Sequence, residues 1–397
     1  MNYILFDDKT WSDLLPLTFT KPISEIRVGI LTIKEKWEKY LKTKCSYHTK
    51  DYLQKKFPME IDSDNIFING ALIPSAELIS EIVNLKQGQV LYSEDTVYAL
   101  RLDKQNAEMF NLEDYIKKAN VKSISDSVKI NNTWDIFRMN GDAIETDFKA
   151  ITKGRKSQPL SKTNTLLGGN EIFIERGASI ECAILNTTNG PIYIGKNAEI
   201  MEGSSIRGPF SLGQESTIKM GAKIYGPTTI GPYSKAGGEI NNSVIMGYSN
   251  KGHDGFLGNS VIGEWCNLGA DTNNSNLKNN YAEVKLWNYN KKRFVKTGLQ
   301  FCGLIMGDHS KCGINTMFNT GTVIGVSANI FGDGFPRNFV PSFAWGGASG
   351  FTETRLEKAF EVETRVMERR NIVFDDIEKQ LLTDIFNLTA EYRKQFK

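Results

Sequence analysis

The sequence predicts three fold elements in succession: a mixed α/β region, a left-handed parallel β-helix of hexapeptide repeats over roughly residues 165–335, and α-helices at the C-terminal end. Three observations carry the β-helix. An apolar residue recurs at every sixth position without a break at Ile194, Ile200, Ile206, Leu212, Ile218, Ile224 and Ile230. The pairs Ile194-Gly195, Leu212-Gly213 and Ile230-Gly231 repeat at a spacing of 18, as do Met306-Gly307 and Ile324-Gly325. Four positions after an apolar residue the side chain is usually small, as at Ala198, Ser204, Ser216, Ala222, Thr228 and Ser234. A helix of period 3.6 or a strand of period 2 does not select every sixth residue. A triangular coil does: each side sends one side chain inward, three sides close a turn, and small residues or glycine fit the corners. Ile174 and Ile180 start the series, Phe256, Ile262 and Leu268 resume it, and Met306, Cys312, Phe318, Ile324 and Ile330 close it.

The remaining elements follow in order. Residues 1 to about 155 read as α/β, with strands at Tyr3–Phe6, Asn65–Ile68 and Val90–Leu102 and helices over 30–42 and 134–148. Residues 51–64 are polar and read as loop, and 153–165 as a linker into the coils. The hexads vanish between Asp271 and Gln300. Asn273, Asn274, Asn276, Asn279 and Asn280 suggest a loop there, and Tyr281 to Thr297 a protruding hairpin centred on Asn290-Lys291. A long insertion in a solenoid is more often functional than not. In the tail, 350–397, Thr354-x-x-Glu357 fits a capping box, and Phe374, Ile377, Leu381, Ile385, Leu388 and Tyr392 form a helical stripe.

Composition excludes several classes. A net charge of +2 gives no strong field toward nucleic acid or an anionic membrane. No stretch approaches the ~18 apolar residues of a membrane span. Met1 to Asp8 makes a poor signal peptide and a good first strand. The five cysteines are odd in number and scattered, which points to reduced thiols in a cytoplasm and no structural zinc.

The run Gly252-His253-Asp254-Gly255-Phe256-Leu257-Gly258, continued by Ile262-Gly263, Asn267-Leu268-Gly269-Ala270-Asp271-Thr272 and Asn276, carries a more specific signal. It resembles the acetyltransferase domain of the bifunctional N-acetylglucosamine-1-phosphate uridyltransferase/glucosamine-1-phosphate acetyltransferase family. Within that family it is similar to truncated relatives in which the β-helix follows a reduced nucleotidyltransferase domain with a Rossmann-like sheet. The resemblance implies His253 as catalytic base, Phe256 at a sugar-phosphate position, and Asn267 and Asn276 at the amino-sugar site. It implies Gly269 and Ala270 near the acetyl thioester, and Ile314 and Gly332 along a coenzyme A groove between subunits of a homotrimer. Asn241, with Asn242 beside it, occupies the offset at which the family holds the sugar phosphate with a lysine, which implies a different acceptor or no acceptor.

Acyl transfer from a thioester to an amine needs a base for the ammonium proton and donors for the oxyanion. Histidine suits the base role near neutral pH. The chain has three: His48, His253 and His309. His309 reads as a turn residue, and Cys302 and Cys312 read as interior fillers rather than nucleophiles. In the N-terminal region Leu15 to Pro22 resembles the segment after the phosphate loop of sugar nucleotidyltransferases. Asp7-Asp8-Lys9-Thr10-Trp11-Ser12 replaces the glycine-rich loop itself, and Asn69-Gly70-Ala71 replaces the family's Gly-Asp. Asp7, Asp8 and Lys21 remain nucleotide-site candidates, with Mg²⁺ required only if that domain is active. The expectation is an acetyl-CoA-dependent N-acyltransferase acting on an amino sugar phosphate or a nucleotide-linked amino sugar. The alternatives are sugar-1-phosphate nucleotidyl transfer and a non-catalytic trimer that binds nucleotide sugars.

Overall fold

The computed structural model describes residues 1–124, 126–394 and 396. The chain forms two compact units. Met1–Leu14, Thr20–Ile26 and Leu31–Asn132 make the first; Leu15–Phe19, Arg27–Ile30 and Thr133–Lys397 make the second. The helices Asp135–Arg138 and Asn140–Thr152 therefore belong with the coil, although they read from sequence as the end of the α/β region.

In the first unit a six-stranded sheet has the order 45–48, 2–6, 64–69, 96–103, 90–93, 121–122. Asn2–Phe6 runs parallel to both neighbours, because helix Ile33–Leu41 carries the chain back between the first two strands. That helix starts on a capping box: Thr32 Oγ1 accepts from the Glu35 N–H, and Glu35 Oε2 accepts from the Thr32 N–H. The strand expected over Val90–Leu102 is instead a hairpin, Val90–Ser93 and Thr96–Asp103. The polar pair Glu94-Asp95 forms its turn, with Glu94 at φ 49°. His48 packs edge-on against Phe110 at 4.8 Å, a core contact.

The second unit is a β-solenoid of about ten turns. Its walls are three parallel stacks of short strands, and one interior column runs up its axis. The apolar hexad residues named above lie in that column, with Phe256 as the exception. Ile230 pairs in register with Ile245, and Ile245 with Ile262, so these turns are shorter than 18 residues. The slip brings Leu257, 1% exposed, inward in place of Phe256. It also places Lys251 on the column. Each fully buried isoleucine or leucine contributes about 1.5–3 kcal/mol from its burial.

One corner of the coil holds non-glycine residues in the left-handed region turn after turn: Tyr233, Tyr248, Trp265, His309, Ser327 and Phe343, with φ between 52° and 64°. That conformation is unfavourable for side chains with a Cβ. Here the rings stack, Tyr233 on Tyr248 at 5.0 Å, Tyr248 on Trp265 at 4.3 Å and Trp265 on His309 at 6.4 Å. The C-terminal helices cover this column. Glu363 reaches His309, and Arg393 lies over the Phe343 and Phe386 rings.

Residues 153–165, read as a linker, close the first turn. The Gln158 N–H donates to Ile174 O at 2.8 Å, Asn164 Nδ2 donates to Ile180 O at 2.7 Å, and Leu160 packs on the interior column. The inserted hairpin is Lys285–Asn288 paired with Arg293–Lys296, and it folds back on its own unit through Trp287 stacked on Phe339 at 4.3 Å. The capping box expected at Thr354 does not form. Helix Leu356–Glu368 starts after Arg355 without a side-chain cap, because the Thr354 N–H is committed to Phe343 O. Helix Asp376–Leu388 buries Leu381, Leu382 and Ile385, but Ile377 and Leu388 of the expected stripe are exposed. Tyr392 lies beyond that helix and packs edge-on against Tyr289 at 5.2 Å. Among the described residues no helix is long and apolar enough to cross a membrane.

Candidate active site

On one wall of the coil the register stacks Lys235, Asn250, Asn267 and Lys311 one above another. Helix Leu356–Glu368 and the residues just after it stand opposite, contributing Val362, Val366, Arg369 and Arg370. Between them runs a cleft of about 710 Å³. Five cations line it: Lys219, Lys235, Lys311, Arg369 and Arg370. None of these was singled out in the sequence. Lys219, Lys235 and Lys311 sit beside interior positions Ile218, Ala236 and Cys312, a pattern that could have been read. Arg369 and Arg370 reach the cleft only because their helix folds onto this wall.

His253 stands exposed at the corner where this wall ends, between strands Asn250–Lys251 and Phe256–Gly258. It also lines a second hollow of about 590 Å³ that contains Lys219, Met220, Asp254 and Asp271. The corner is tight. Gly255 adopts φ +108°, and a Cβ there would meet Thr272 O at 2.2 Å.

The fold brings His253, Asn267, Gly269, Ala270 and Ile314 into one cleft. Asn267 and Ile314 are exposed on it, Ile314 at 70%. Phe256, Asn276 and Asn241 gather instead on the adjacent wall. Asn241 is in register with Gly258, and a Cβ on Gly258 would meet both the Phe256 ring and Asn276 Nδ2. Asn276 Nδ2 donates to Asn259 Oδ1 at 2.7 Å. Gly332 does not line this cleft; it faces open space at a later corner.

His309 holds the far wall in place. Its Nδ1 lies 2.7 Å from Glu363 Oε2, while Lys311 Nζ donates to Glu363 Oε1 at 2.7 Å and to His309 O at 2.8 Å. Burial alone would raise the Glu363 pKa, but His309 and Lys311 hold it below the usual carboxylate range. The helix is thereby pinned to the coil through a buried charge cluster. Cys302 and Cys312 offer no nucleophile: burial pushes the Cys302 thiol up to about 12 and raises that of Cys312, which fills the interior column.

The first unit's candidates are satisfied within the fold. Asp7 Oδ1 accepts from the Ile23 N–H at 2.9 Å, and Oδ2 accepts from the Thr49 hydroxyl. Burial raises the Asp7 carboxyl to about 7. Asp8 Oδ2 pairs with Lys129 Nζ at 2.8 Å and accepts from Asn69 Nδ2. Burial works to raise the Asp8 pKa as well, but Lys129, Asn69 and Thr10 together lower it. Lys21 is 3% exposed. A magnesium ion needs free carboxylate oxygens. These aspartates spend theirs on the chain's own donors, so they do not fit the ion. Among the described residues no group of three or more His, Cys, Asp or Glu is placed to hold a metal.

Residues 3–156 match the sugar nucleotidyl transferase family. A bifunctional protein GlmU of Methanocaldococcus jannaschii is 31% identical over 136 residues, 34% of this chain and 28% of that protein. A bifunctional sugar-1-phosphate nucleotidylyltransferase/acetyltransferase of Sulfurisphaera tokodaii is 36% identical over 164 residues, 41% of this chain and 40% of that protein. The matches thus span well under two thirds of these relatives, which are transferases. Among solved structures, a UDP-N-acetylglucosamine acyltransferase from Bacteroides fragilis covers 59% of this chain and 84% of its own, with a TM-score of 0.31 and 15% identity.

The raised Asp7 carboxyl makes the stability of the first unit pH-dependent. Its folded pKa lies above its unfolded value, so its contribution is fully present below about pH 4 and is lost as pH rises through about 7. Asp7→Asn removes that loss. The variant should melt higher than wild type at pH 8, with the gap closing toward pH 4, as read by thermal denaturation across that range.

Proposed function

We propose that the chain is an acetyl-CoA-dependent N-acyltransferase acting on an amino sugar phosphate or a nucleotide-linked amino sugar, with His253 as general base. One observation carries this reading: His253 and Asn267 face a cleft lined by five cations and an apolar strip of Ile314, Val362 and Val366. Cations of this kind neutralise phosphates, with arginine suited to bidentate contact, and the strip accepts a thin pantetheine arm. Gly269 and Ala270, with no bulky side chains, let that arm approach the backbone. The acceptor amine attacks the thioester carbonyl, His253 takes the ammonium proton, and the thiolate leaves and is protonated. Asn267 supplies an amide to the acceptor or to the developing oxyanion. Phe256, Asn241 and Asn276 would contact the acceptor from the adjacent wall, on the far side of the His253 corner.

Acetyl-CoA should raise the melting temperature, as any ligand of the native state does. With an acceptor found by screening amino sugars, their phosphates and their nucleotide esters, His253→Ala should lower kcat about 10²- to 10⁴-fold. Coenzyme A affinity should hardly change. Asn267→Ala should chiefly raise the acceptor KM, since a polar partner is left unpaired. Wild-type kcat in His253→Ala would remove the histidine from the mechanism. Absence of acetyl-CoA binding would favour the non-catalytic reading.

The family match over residues 3–156 favours a second reading, sugar-1-phosphate nucleotidyl transfer. The commitments of Asp7 and Asp8 argue against it. Pyrophosphate release from UTP or dTTP with hexose 1-phosphates and Mg²⁺ should be negligible. Turnover on the order of 1 to 10³ per second, the ordinary enzyme range, would reverse that judgement.

We also propose a homotrimer with its axis along the coil, since a solenoid leaves flat walls to be covered. In this chain the cleft wall comes from its own helix, so the partner subunit would cover the wall that bears Phe256, Asn241 and Asn276. A trimer mass in light scattering at micromolar concentration is the expected result; a monomer would end the idea.

A further inference from the structure

Lys251 occupies an interior position of the coil, on the column between Ile245 and Leu257, and is 1% exposed. On the same wall Glu199 and Lys235 are exposed. Its ammonium has three protons and finds three backbone acceptors: Gly237 O at 3.3 Å, His253 O at 2.5 Å and Asp254 O at 3.0 Å. Two of these carbonyls belong to the corner that carries His253. The third belongs to the corner of the turn below. The carboxylates of Asp254 and Asp271 and the Cys312 thiol lie near enough to act on the charge, but no carboxylate is hydrogen-bonded to it among the described residues.

This arrangement is costly. A buried ammonium without an ion-pair partner destabilises a fold, and an apolar side chain of similar length would fill the space without that cost. Burial pulls the Lys251 pKa from 10.5 down to about 8. Meanwhile no group among the described residues hydrogen-bonds the His253 ring. Catalytic histidines are ordinarily oriented by a third group on the imidazole. Here the orientation of the ring depends on the backbone of its corner.

We propose that Lys251 is a positioning residue for His253: from inside the coil its ammonium grips the carbonyls of Gly237, His253 and Asp254 and fixes the corner that aims the imidazole into the cleft. The proposal rests on His253 being the base. It has a consequence that simple structural glue would not have. The folded pKa lies below the unfolded one, so the unfolded chain binds the extra proton between about pH 8 and 10.5, and the burial cost is greatest below about pH 8. Stability should therefore rise with pH across that window while the corner, losing its clamp, loosens.

The test uses the full chain with ¹³C-labelled histidine, whose three ring signals correspond to three histidines. The His253 signal is identified by its loss in His253→Ala. Lys251→Met should melt higher than wild type at pH 7, with the gap narrowing toward pH 10. Its His253 signal should broaden or split while those of His48 and His309 stay as they were. Its kcat should fall about 10- to 100-fold, the usual effect of a small misplacement, at nearly constant KM for acetyl-CoA. Lys251→Arg, which keeps the charge, should restore a single His253 signal. A sharp, unchanged His253 signal in Lys251→Met would overturn the proposal. So would a lower melting temperature with all three signals disturbed, the mark of a merely structural lysine. Should Lys251→Met not fold, wild type taken from pH 7 to 9.5 replaces it: the His253 signal must broaden near pH 8 while the other two do not, and no change overturns the clamp. The ring signal reads the clamp and the His253→Ala rate reads the base, so failure of one is separable from failure of the other.

Discussion

A narrow column of inward side chains, one or two from each side of each turn, is the core that the solenoid possesses, and everything else in the second unit is arranged around that restriction. The column from Ile174 to Val340 is continuous, but it is narrow, and each turn is stabilised only by the turns above and below it. Three additions compensate. Residues 153–165 close the first turn, the inserted hairpin packs through Trp287 and Tyr289 against Phe339, and the C-terminal helices cover the corner column from Tyr233 to Phe343. Because the interior admits few departures, a charged residue within it carries more meaning than one on the walls.

The cleft follows from the last of these additions. A bare wall of stacked strands is flat and cannot enclose a ligand. Helix Leu356–Glu368 turns that wall into a groove about 710 Å³ in volume. What pins the helix is a buried charge cluster, Glu363 between His309 and Lys311. Removing one partner of such a cluster leaves an uncompensated buried charge and costs about 3–5 kcal/mol. Lys311 therefore has two roles: it anchors the helix, and it lines the groove that the helix creates. Among the described residues that line the groove the charged ones are Lys219, Lys235, Lys311, Arg369 and Arg370, which suits an anionic ligand.

The first unit shows the reverse situation. Its first strand lies between two parallel neighbours with a capped helix crossing between them, and residues 3–156 match the sugar nucleotidyl transferase family. Yet the acidic residues at the end of the first strand are held by the chain's own groups, Asp7 by Ile23 and Thr49, Asp8 by Lys129 and Asn69. Lys129 places a positive charge beside the carboxylate that would otherwise be available to a divalent cation.

The sequence by itself determined the solenoid, because a six-residue period is a local property that survives without knowledge of partners. It also determined the inserted hairpin, and the proximity of His253, Asn267, Gly269 and Ala270, which lie one turn apart in a coil of nearly constant pitch. Only the tertiary structure decided the rest. The phase slip between Ile230 and Ile262 moved Leu257 inward and Phe256 out, and it turned Lys251 from an ordinary basic residue into an interior one. Turn lengths there are set by corner geometry, which leaves no period to read. Glu363 joins from 54 residues beyond His309, and Arg369 and Arg370 from the residues just after the same helix, through the docking of an amphipathic helix. An apolar stripe says that a helix must pack, but it does not say on what. The Thr354 box failed for the same reason: a local capping signal lost to a long-range backbone hydrogen bond to Phe343, which only the folded chain supplies.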